Sequence, residues 1–163
     1  MRVLQLIDSL NSGGAERVAV NYANTLTSYV EKSFLCATRE EGKLKESIDE
    51  NAVYFFLSKK YVFDVFAILR LKRFIKDNNI NVVHAHSSSF FIAVCVKIFD
   101  KKIRLIWHDH YGNRPNEISR FSIYILKFCS YYFNHIFCVN SNLVAWSQSI
   151  LKHKSVTYLP NYA

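Results

Sequence analysis

The chain contains only four glycines, and two of them are adjacent within residues 11–16, Asn-Ser-Gly-Gly-Ala-Glu. An apolar run over residues 2–7 precedes the pair and predicts a buried parallel strand. Apolar residues then recur with helical spacing over residues 15–26. A strand, a glycine turn and a helix open a doubly wound α/β domain, and the helix N-terminus suits an anion such as phosphate. Neither the dinucleotide nor the P-loop spacing is present, so a tight turn without a ligand remains the alternative.

The rest of the chain alternates short β-branched or aromatic runs with longer helical ones. This pattern predicts a single Rossmann-like domain over residues 1–163, a doubly wound parallel sheet with helices on both faces. The strands are predicted near residues 2–8, 33–38, 53–57, 81–86, 103–109, 135–140 and 155–159. The helices are predicted near residues 14–28, 62–77, 88–99, 117–133 and 141–151.

Polar residues cluster where four predicted strands end, and ligands of such sheets bind beyond the carboxyl ends of the strands. Some of them also fit structural roles, as helix N-caps or, for His84, as a hydrogen-bonded core histidine. His-x-His spacing admits a metal site, but the nearby carboxylates are few and Asp109 would face away, so we expect no metal. The clusters are Ser9, Asn11 and Gly13; His84, His86, Ser87, Ser88 and Ser89; residues 107–112; and Asn140, Ser141 and Asn142.

The net charge of +8 and the pI near 9.4 predict an anionic partner. Nucleic acid is disfavoured because the basic residues are scattered, whereas phosphorylated substrates and an anionic membrane surface remain open. The four cysteines lie among apolar neighbours without a C-x-x-C motif, which favours free thiols in the cytoplasm. Asp8 interrupts the first apolar run, so we expect no signal peptide, and no run is long enough to span a membrane.

Five segments together resemble, in order and spacing, the family 4 glycosyltransferases, which are retaining enzymes of the GT-B fold. The segments are residues 12–18, 82–87, 107–110, 139–141 and 159–161. Such enzymes are frequent in bacterial capsule, lipopolysaccharide and exopolysaccharide assembly. The resemblance covers the family's N-terminal half and implies a second, nucleotide-sugar-binding domain after Asn161, containing a Glu-x7-Glu motif. We therefore expect a truncated piece of such an enzyme, inactive alone, or, less favoured, one subunit of a split transferase.

The resemblance also implies roles for individual residues. Gly13 and Gly14 resemble the turn that approaches the diphosphate of a UDP-sugar, GDP-sugar or similar co-substrate, and no other cofactor is expected. His108 matches the family histidine facing the cleft, Asp109 matches its acidic neighbour, and His110 is the alternative to His108. The remaining predicted cleft residues are Ser12, Glu16, His86, Ser87, Asn140 and Ser141, with Glu16 orienting the loop.

Two functions of different class follow. The first is the cytoplasmic, acceptor-side half of a transferase acting on a cell-envelope glycan or a lipid-linked acceptor, and for this function we expect a peripheral position on the inner face of the cytoplasmic membrane. The second is a non-catalytic module that binds a phosphorylated or sugar ligand, or anchors a catalytic partner at the membrane. The predicted helix 117–133 could contact a membrane only through residues that are not in the core. We expect its apolar stripe to lie in the core; the stripe consists of Ile118, Phe121, Ile125, Phe128 and Tyr132. Tyr124, Tyr131, Arg120 and Lys127 would then be left for the surface or for an anionic bilayer.

Overall fold

A computed structural model of the protein describes residues 1–114 and 118–161. The strands in these residues are β1 (Arg2–Ser9), β2 (Lys32–Glu40), β3 (Val53–Phe56), β4 (Val82–His86), β5 (Arg104–Asp109), β6 (His135–Cys138) and β7 (Val156–Tyr158). They form a single sheet in the order β3-β2-β1-β4-β5-β6-β7, and every pairing is parallel. The predicted parallel α/β fold is therefore confirmed.

Helices pack on both faces of the sheet, as predicted. The described helices are α1 (Gly14–Leu26), α2 (Val65–Asp77), α3 (Phe90–Phe99), α4 (Arg120–Ser130) and α5 (Ser141–Ser149). Three of them begin later than predicted. The side chains of Asp64 and Ser119 accept hydrogen bonds from N–H groups of the first turns of α2 and α4, and a 3-10 turn over Ser87–Ser89 precedes α3. The predicted start of the fourth helix at Glu117 lies outside the described residues.

Alternation along the strands divides the core into two layers. Leu4, Leu6, Ala85 and Trp107 face the layer beneath α2, α3, α4 and α5. Ile7, Leu35 and Ala37 face the smaller layer beneath α1 and a 3-10 turn over Lys43–Ser47. The same face also carries polar side chains, namely Gln5 of β1 and the histidines of β4 and β5.

The phase of α4 differs from the prediction. Leu126 and Cys129 are its buried apolar residues, whereas Phe121 and Phe128 are exposed. The expectation that Phe121 and Phe128 belong to a core stripe is therefore wrong, although Ile118, Ile125 and Tyr132 do pack against the core. Aromatic residues occupy both sides of this helix, so periodicity alone did not determine which side is buried. Within residues 1–114 and 118–161, no helix is long and apolar enough to cross a membrane.

Candidate active site at the carboxyl edge of the sheet

A cavity of about 480 Å³ opens at the carboxyl ends of the strands. The chain leaves β1 and β4 toward opposite faces here, which is the switch point where α/β sheets bind ligands. A smaller cavity of about 230 Å³ adjoins it and shares Gly14 and Asn161. The larger cavity is lined by Gly14, Ala15, Ser87, Ser88, His110, Tyr111, Arg114 and Asn161. Ser12, Gly13, Arg17 and Val18 complete the smaller one.

The glycines of the turn have ordinary backbone conformations, and their contribution is the space left by the missing side chains. Gly13 is extended and caps α1 without a side-chain hydrogen bond, so the first N–H groups of the helix have no side-chain cap. A Cβ at Gly13 would overlap the Glu16 carboxylate, whereas a Cβ at Gly14 would meet nothing within 4 Å. Glu16 also accepts a 3.3 Å hydrogen bond from the Ser9 hydroxyl. Glu16 thus packs on the turn, while Gly14 leaves the helix N-terminus open to both cavities.

Ser87 turns the chain from β4 into the cavity wall. Its φ of 50° lies in the left-handed region, which few residues other than glycine adopt. The Trp107 indole donates a 2.9 Å hydrogen bond to the Ser87 carbonyl and holds this turn against β5. Ser88 donates to the Asp8 carboxylate, and Ser89 buries its hydroxyl against the Leu6 carbonyl at 2.6 Å.

Four histidines form a continuous ladder of rings on the α1 face. His84 and His86 come from β4, His108 comes from β5, and His110 directly follows the end of β5. Ring centroids are 4.4 Å apart for His84 and His86, and 4.0 Å apart for His108 and His110. Tyr22 of α1 stacks on the ladder, 5.7 Å from His84 and 6.2 Å from His108.

A chain of hydrogen bonds runs through this ladder to the cavity. Gln5 Oε1 lies 2.8 Å from His86 Nε2, and His86 Nδ1 lies 2.9 Å from His110 Nε2. His110 Nδ1 lies 2.8 Å from Asn161 Oδ1. Both ring nitrogens of His86 and His110 are therefore engaged, which fixes the orientation of the half-buried His110 ring at the cavity wall.

His108 lies behind His110 and has an exposed fraction of 0%. The expectation that His108 faces the cleft is wrong. His108 lies two residues further than His110 from the carboxyl edge of the sheet, and the Tyr22 ring covers it. Its Nε2 donates a 3.3 Å hydrogen bond to the Leu159 carbonyl, which can only accept, so Nδ1 carries the lone pair. That Nδ1 and His84 Nε2 are buried without a hydrogen-bond partner among the described residues. The prediction of His84 as a fully hydrogen-bonded core histidine is therefore also wrong.

Burial sets the charge of the ladder. Desolvation, and secondarily the neighbouring imidazoles, hold the pKa values of His84 and His86 well below their ordinary range. The same effects lower the pKa of His108 to about 3. Burial also lowers the pKa of His110, against opposing effects from Asn161 and Asp109. These shifts leave all four rings neutral at pH 7. Neutral His86 and His110 supply only two N–H donors to the three hydrogen bonds of the chain, so one terminal amide must present its NH2 group. Gln5 Nε2, which is buried without a partner among the described residues, provides that donor when the amide is turned by 180°.

The ladder also bears on the expectation of no metal. One ligand nitrogen from each of His84, His86 and His108 lies within 4.8 Å of the others, a spacing that admits an ion. Both His86 nitrogens, however, are already engaged by Gln5 and His110. Binding an ion would break one of these hydrogen bonds in an enclosed space, and the absence of a metal stays a prediction.

Asp109 points to the side of β5 opposite the histidine ladder, as predicted. There it forms a bidentate ion pair with Arg114. The Arg114 Nε and Nη2 atoms lie 2.6 and 2.8 Å from its carboxylate oxygens, and Asp109 is fully buried. The Arg114 guanidinium also lies 5.4 Å from the Trp107 ring centroid and 5.3 Å from that of Tyr111. Sequence reasoning missed Arg114, whose only signal was a basic residue in the loop that follows a predicted rim cluster.

Four predicted cleft residues line neither cavity: Glu16, His86, Asn140 and Ser141. Glu16 packs on the glycine turn. His86 is buried behind His110. Asn140 caps α5 by accepting from the Leu143 N–H at 2.8 Å, and its amide donates to the Gly112 carbonyl. In this cluster the residue with the helix N-cap role is therefore Asn140. Ser141 is exposed and lines neither cavity.

The sequence pattern that describes Glycosyltransferase Family 4 matches residues 12–161. The chain belongs to this family. Among proteins of curated function, none matches the sequence. The chain superposes on one half of GT-B glycosyltransferases, and it spans less than half the length of the solved structures it resembles.

Three of these solved structures show how far the similarity extends. The lipopolysaccharide outer core galactosyltransferase WaaB, in its apo form, has 11% identity and a TM-score of 0.68, with 100% of this chain and 46% of WaaB covered. HepE of Anabaena, in complex with UDP and glucose, has 12% identity and a TM-score of 0.71 over 100% of this chain and 45% of HepE. A glycosyltransferase from Rickettsia africae has 16% identity and a TM-score of 0.72 over 98% of this chain and 42% of that enzyme. At these identities the likeness establishes the fold.

Proposed function

We propose that this chain is the N-terminal, acceptor-side half of a retaining glycosyltransferase that uses a nucleotide-sugar. The observation that carries the proposal is the cavity that Gly14, Ser87, His110 and Asn161 line at the carboxyl edge. Family membership supports glycosyl transfer, and HepE was solved with UDP and glucose. The acceptor class we propose is a cell-envelope glycan or a lipid-linked sugar.

In this proposal the open N-terminus of α1 binds the donor diphosphate. Its N–H groups at Gly14 and Ala15 border the cavity, and the helix dipole favours negative charge there. Negative charge grows on the diphosphate as its bond to the anomeric carbon breaks, so fixed donors stabilise the transition state more than the ground state. A second domain, elsewhere in the full-length protein, would contact the base and the sugar.

The role we assign to His110 is orientation of the sugar or acceptor at the cavity wall. Retention requires the acceptor hydroxyl to approach the face from which the diphosphate departs, so positioning matters more than a strong base. Since both His110 nitrogens already take part in hydrogen bonds, the ring presents a fixed surface. His108 supports it from behind, and the Asp109–Arg114 pair fixes the adjoining loop.

The test is a transfer assay on the full-length protein that contains this chain, with a panel of UDP- and GDP-sugars and a lipid-linked acceptor. We expect transfer with the donor's anomeric configuration kept, as measured by NMR of the product, and no transfer by the 163-residue chain alone. Transfer by the isolated chain would contradict the need for a second half. Ligand binding without transfer by the full-length protein would instead support the non-catalytic module.

A further inference from the structure

An unusually apolar surface covers the helix layer on the face of the sheet opposite α1. Six large apolar side chains between residues 61 and 69 are more than half exposed, and Phe66 reaches 75%. Isolated exposed apolar residues are ordinary, but a consecutive set marks an interaction surface. The six are Tyr61, Val62, Phe63, Val65, Phe66 and Leu69.

A second exposed stripe lies on α4 and its C-terminal cap. Its members recur at intervals of three and four residues, so they share one side of the helix. Phe121 is 74% exposed and Tyr131 is 86% exposed. The stripe consists of Phe121, Tyr124, Phe128 and Tyr131, and together with the six residues of the first set it forms what we call the aromatic face.

The helix α3 lies between α2, where the first set ends, and α4, which carries the second. It contacts α2 on one side and α4 on the other. The Phe63 ring packs edge-on against Phe91 of α3 at 5.1 Å, and Lys72 of α2 lies 5.3 Å from the ring of the exposed Phe99. Three neighbouring helices of one layer therefore carry exposed aromatic side chains.

The charges around the aromatic face are almost all positive. Residues 118–134 contain Arg120 and Lys127 and no carboxylate. Between residues 58 and 76, Asp64 is the only carboxylate, and it is buried as the α2 cap, whereas Lys60 and Arg70 are exposed. The exposed Arg73 is paired with Asp77 and adds no net charge. Aromatic side chains flanked by lysine and arginine are the composition that binds the interface of an anionic bilayer.

We propose that the aromatic face docks this protein on an anionic membrane. A twofold contact with a second copy would place the same positive charges against each other, and positive repulsion disfavours that arrangement. A bilayer matches both features, because anionic headgroups meet the basic residues while the aromatic rings enter the boundary with the acyl chains. Since the first set precedes and begins α2 at the carboxyl edge, the cavity would open close to the lipid surface.

The experiment is vesicle flotation of the full-length protein, with phosphatidylcholine vesicles alone or mixed with phosphatidylglycerol. We expect binding to the anionic vesicles to be tighter by about tenfold or more. The V62S/F66S double variant should weaken that binding by about tenfold. The matched control is Tyr29→Ser, which removes an equally exposed aromatic (79%) at the end of α1, outside the aromatic face. It should bind like the unmodified protein.

A second variant, R120Q/K127Q, separates charge from apolar contact. It should lose affinity for anionic vesicles and leave the weak binding to neutral vesicles unchanged. Equal binding to both vesicle types, or equal loss in Tyr29→Ser, would overturn the proposal. So would a concentration-dependent dimer or RNA binding that V62S/F66S abolishes without any vesicle binding. Flotation does not depend on sugar transfer, so its failure and the failure of the proposed activity are distinguishable.

Discussion

His86 Nδ1 lies 2.9 Å from His110 Nε2, and this contact connects the buried part of the histidine ladder to the cavity. His86 is held in turn by Gln5 at 2.8 Å. A ring with one partner at each nitrogen cannot rotate without losing a hydrogen bond in a place that water does not reach. The contact therefore transmits the rigidity of the central strands to the residue that faces the cavity.

The first prediction concerns which histidine serves turnover in the full-length protein. We expect His110→Ala to lower kcat by about 10²-fold, because His110 borders the cavity and orients the sugar or acceptor there. His108→Ala should act mainly through stability, since His108 is buried behind it. The measurement is kcat at matched folded fraction, with Ser141→Ala as a neutral control. A larger kcat loss in His108→Ala would restore the assignment that the family resemblance favours.

The second prediction concerns the buried ion pair. Arg114→Ala should lower the free energy of unfolding by about 3 kcal/mol, because it leaves the buried Asp109 carboxylate without its counterion. Urea denaturation measures this change. Arg73→Ala, which removes an exposed ion pair with Asp77, is the control and should have no measurable effect. An equal loss of unfolding free energy in the two variants would show that the ion pair between Asp109 and Arg114 does not stabilise the fold more than an exposed pair does.

The third prediction is a loss of stability in acid. The folded protein holds the pKa values of His84, His86 and His108 far below the value near 6.5 expected when unfolded, so the unfolded chain binds more protons at lower pH. This contribution is fully present above pH 6.5 and falls as pH drops toward 3, by roughly 1.4 kcal/mol per pH unit for each histidine. Denaturant titrations between pH 5 and 8 measure the slope, and His84→Gln should reduce it. A stability independent of pH in this range would contradict the neutral ladder.

The fourth prediction compares two glycines. A Cβ at Gly42 would overlap the backbone of Leu10 and Asn11, which cannot move aside, so Gly42→Ala should destabilise the fold by roughly 1–3 kcal/mol. Gly14→Ala meets open space and should leave stability unchanged or slightly raised, since alanine favours a helix. Thermal unfolding of the two variants distinguishes them. Equal melting temperatures would mean that the Gly42 loop shifts freely.

The order of strands and helices was predictable because each element carries its own hydrophobic period and is bounded by turn residues. The rim position of the polar clusters followed from that order, since parallel strands place their carboxyl ends at one edge. Helix α4 shows where this reasoning fails. With aromatic residues on several sides, its sequence fits more than one phase, and contacts of Leu126 and Cys129 with the core decide among them.

The relative depth of His108 and His110 was not predictable for a different reason. Residues two apart on a strand share a face, so alternation cannot tell which one reaches the edge. Depth depends on Tyr22 of α1 and on the segment after β7, where Leu159 and Asn161 meet the two rings. These partners are distant in the sequence, so the residues next to each histidine do not indicate which contacts it makes.

The hydrogen-bonded chain from Gln5 to Asn161 has a consequence for how this domain folds. Its three links join residues 81, 24 and 51 positions apart. Closing such long loops costs entropy before any contact forms, which slows folding. As the ribosome releases the chain, Gln5 emerges early and Asn161 only after every strand has appeared. The His110 ring is therefore held in place only after the whole domain has been synthesised and folded. A partly synthesised chain lacks Asn161 and so lacks one wall of the cavity.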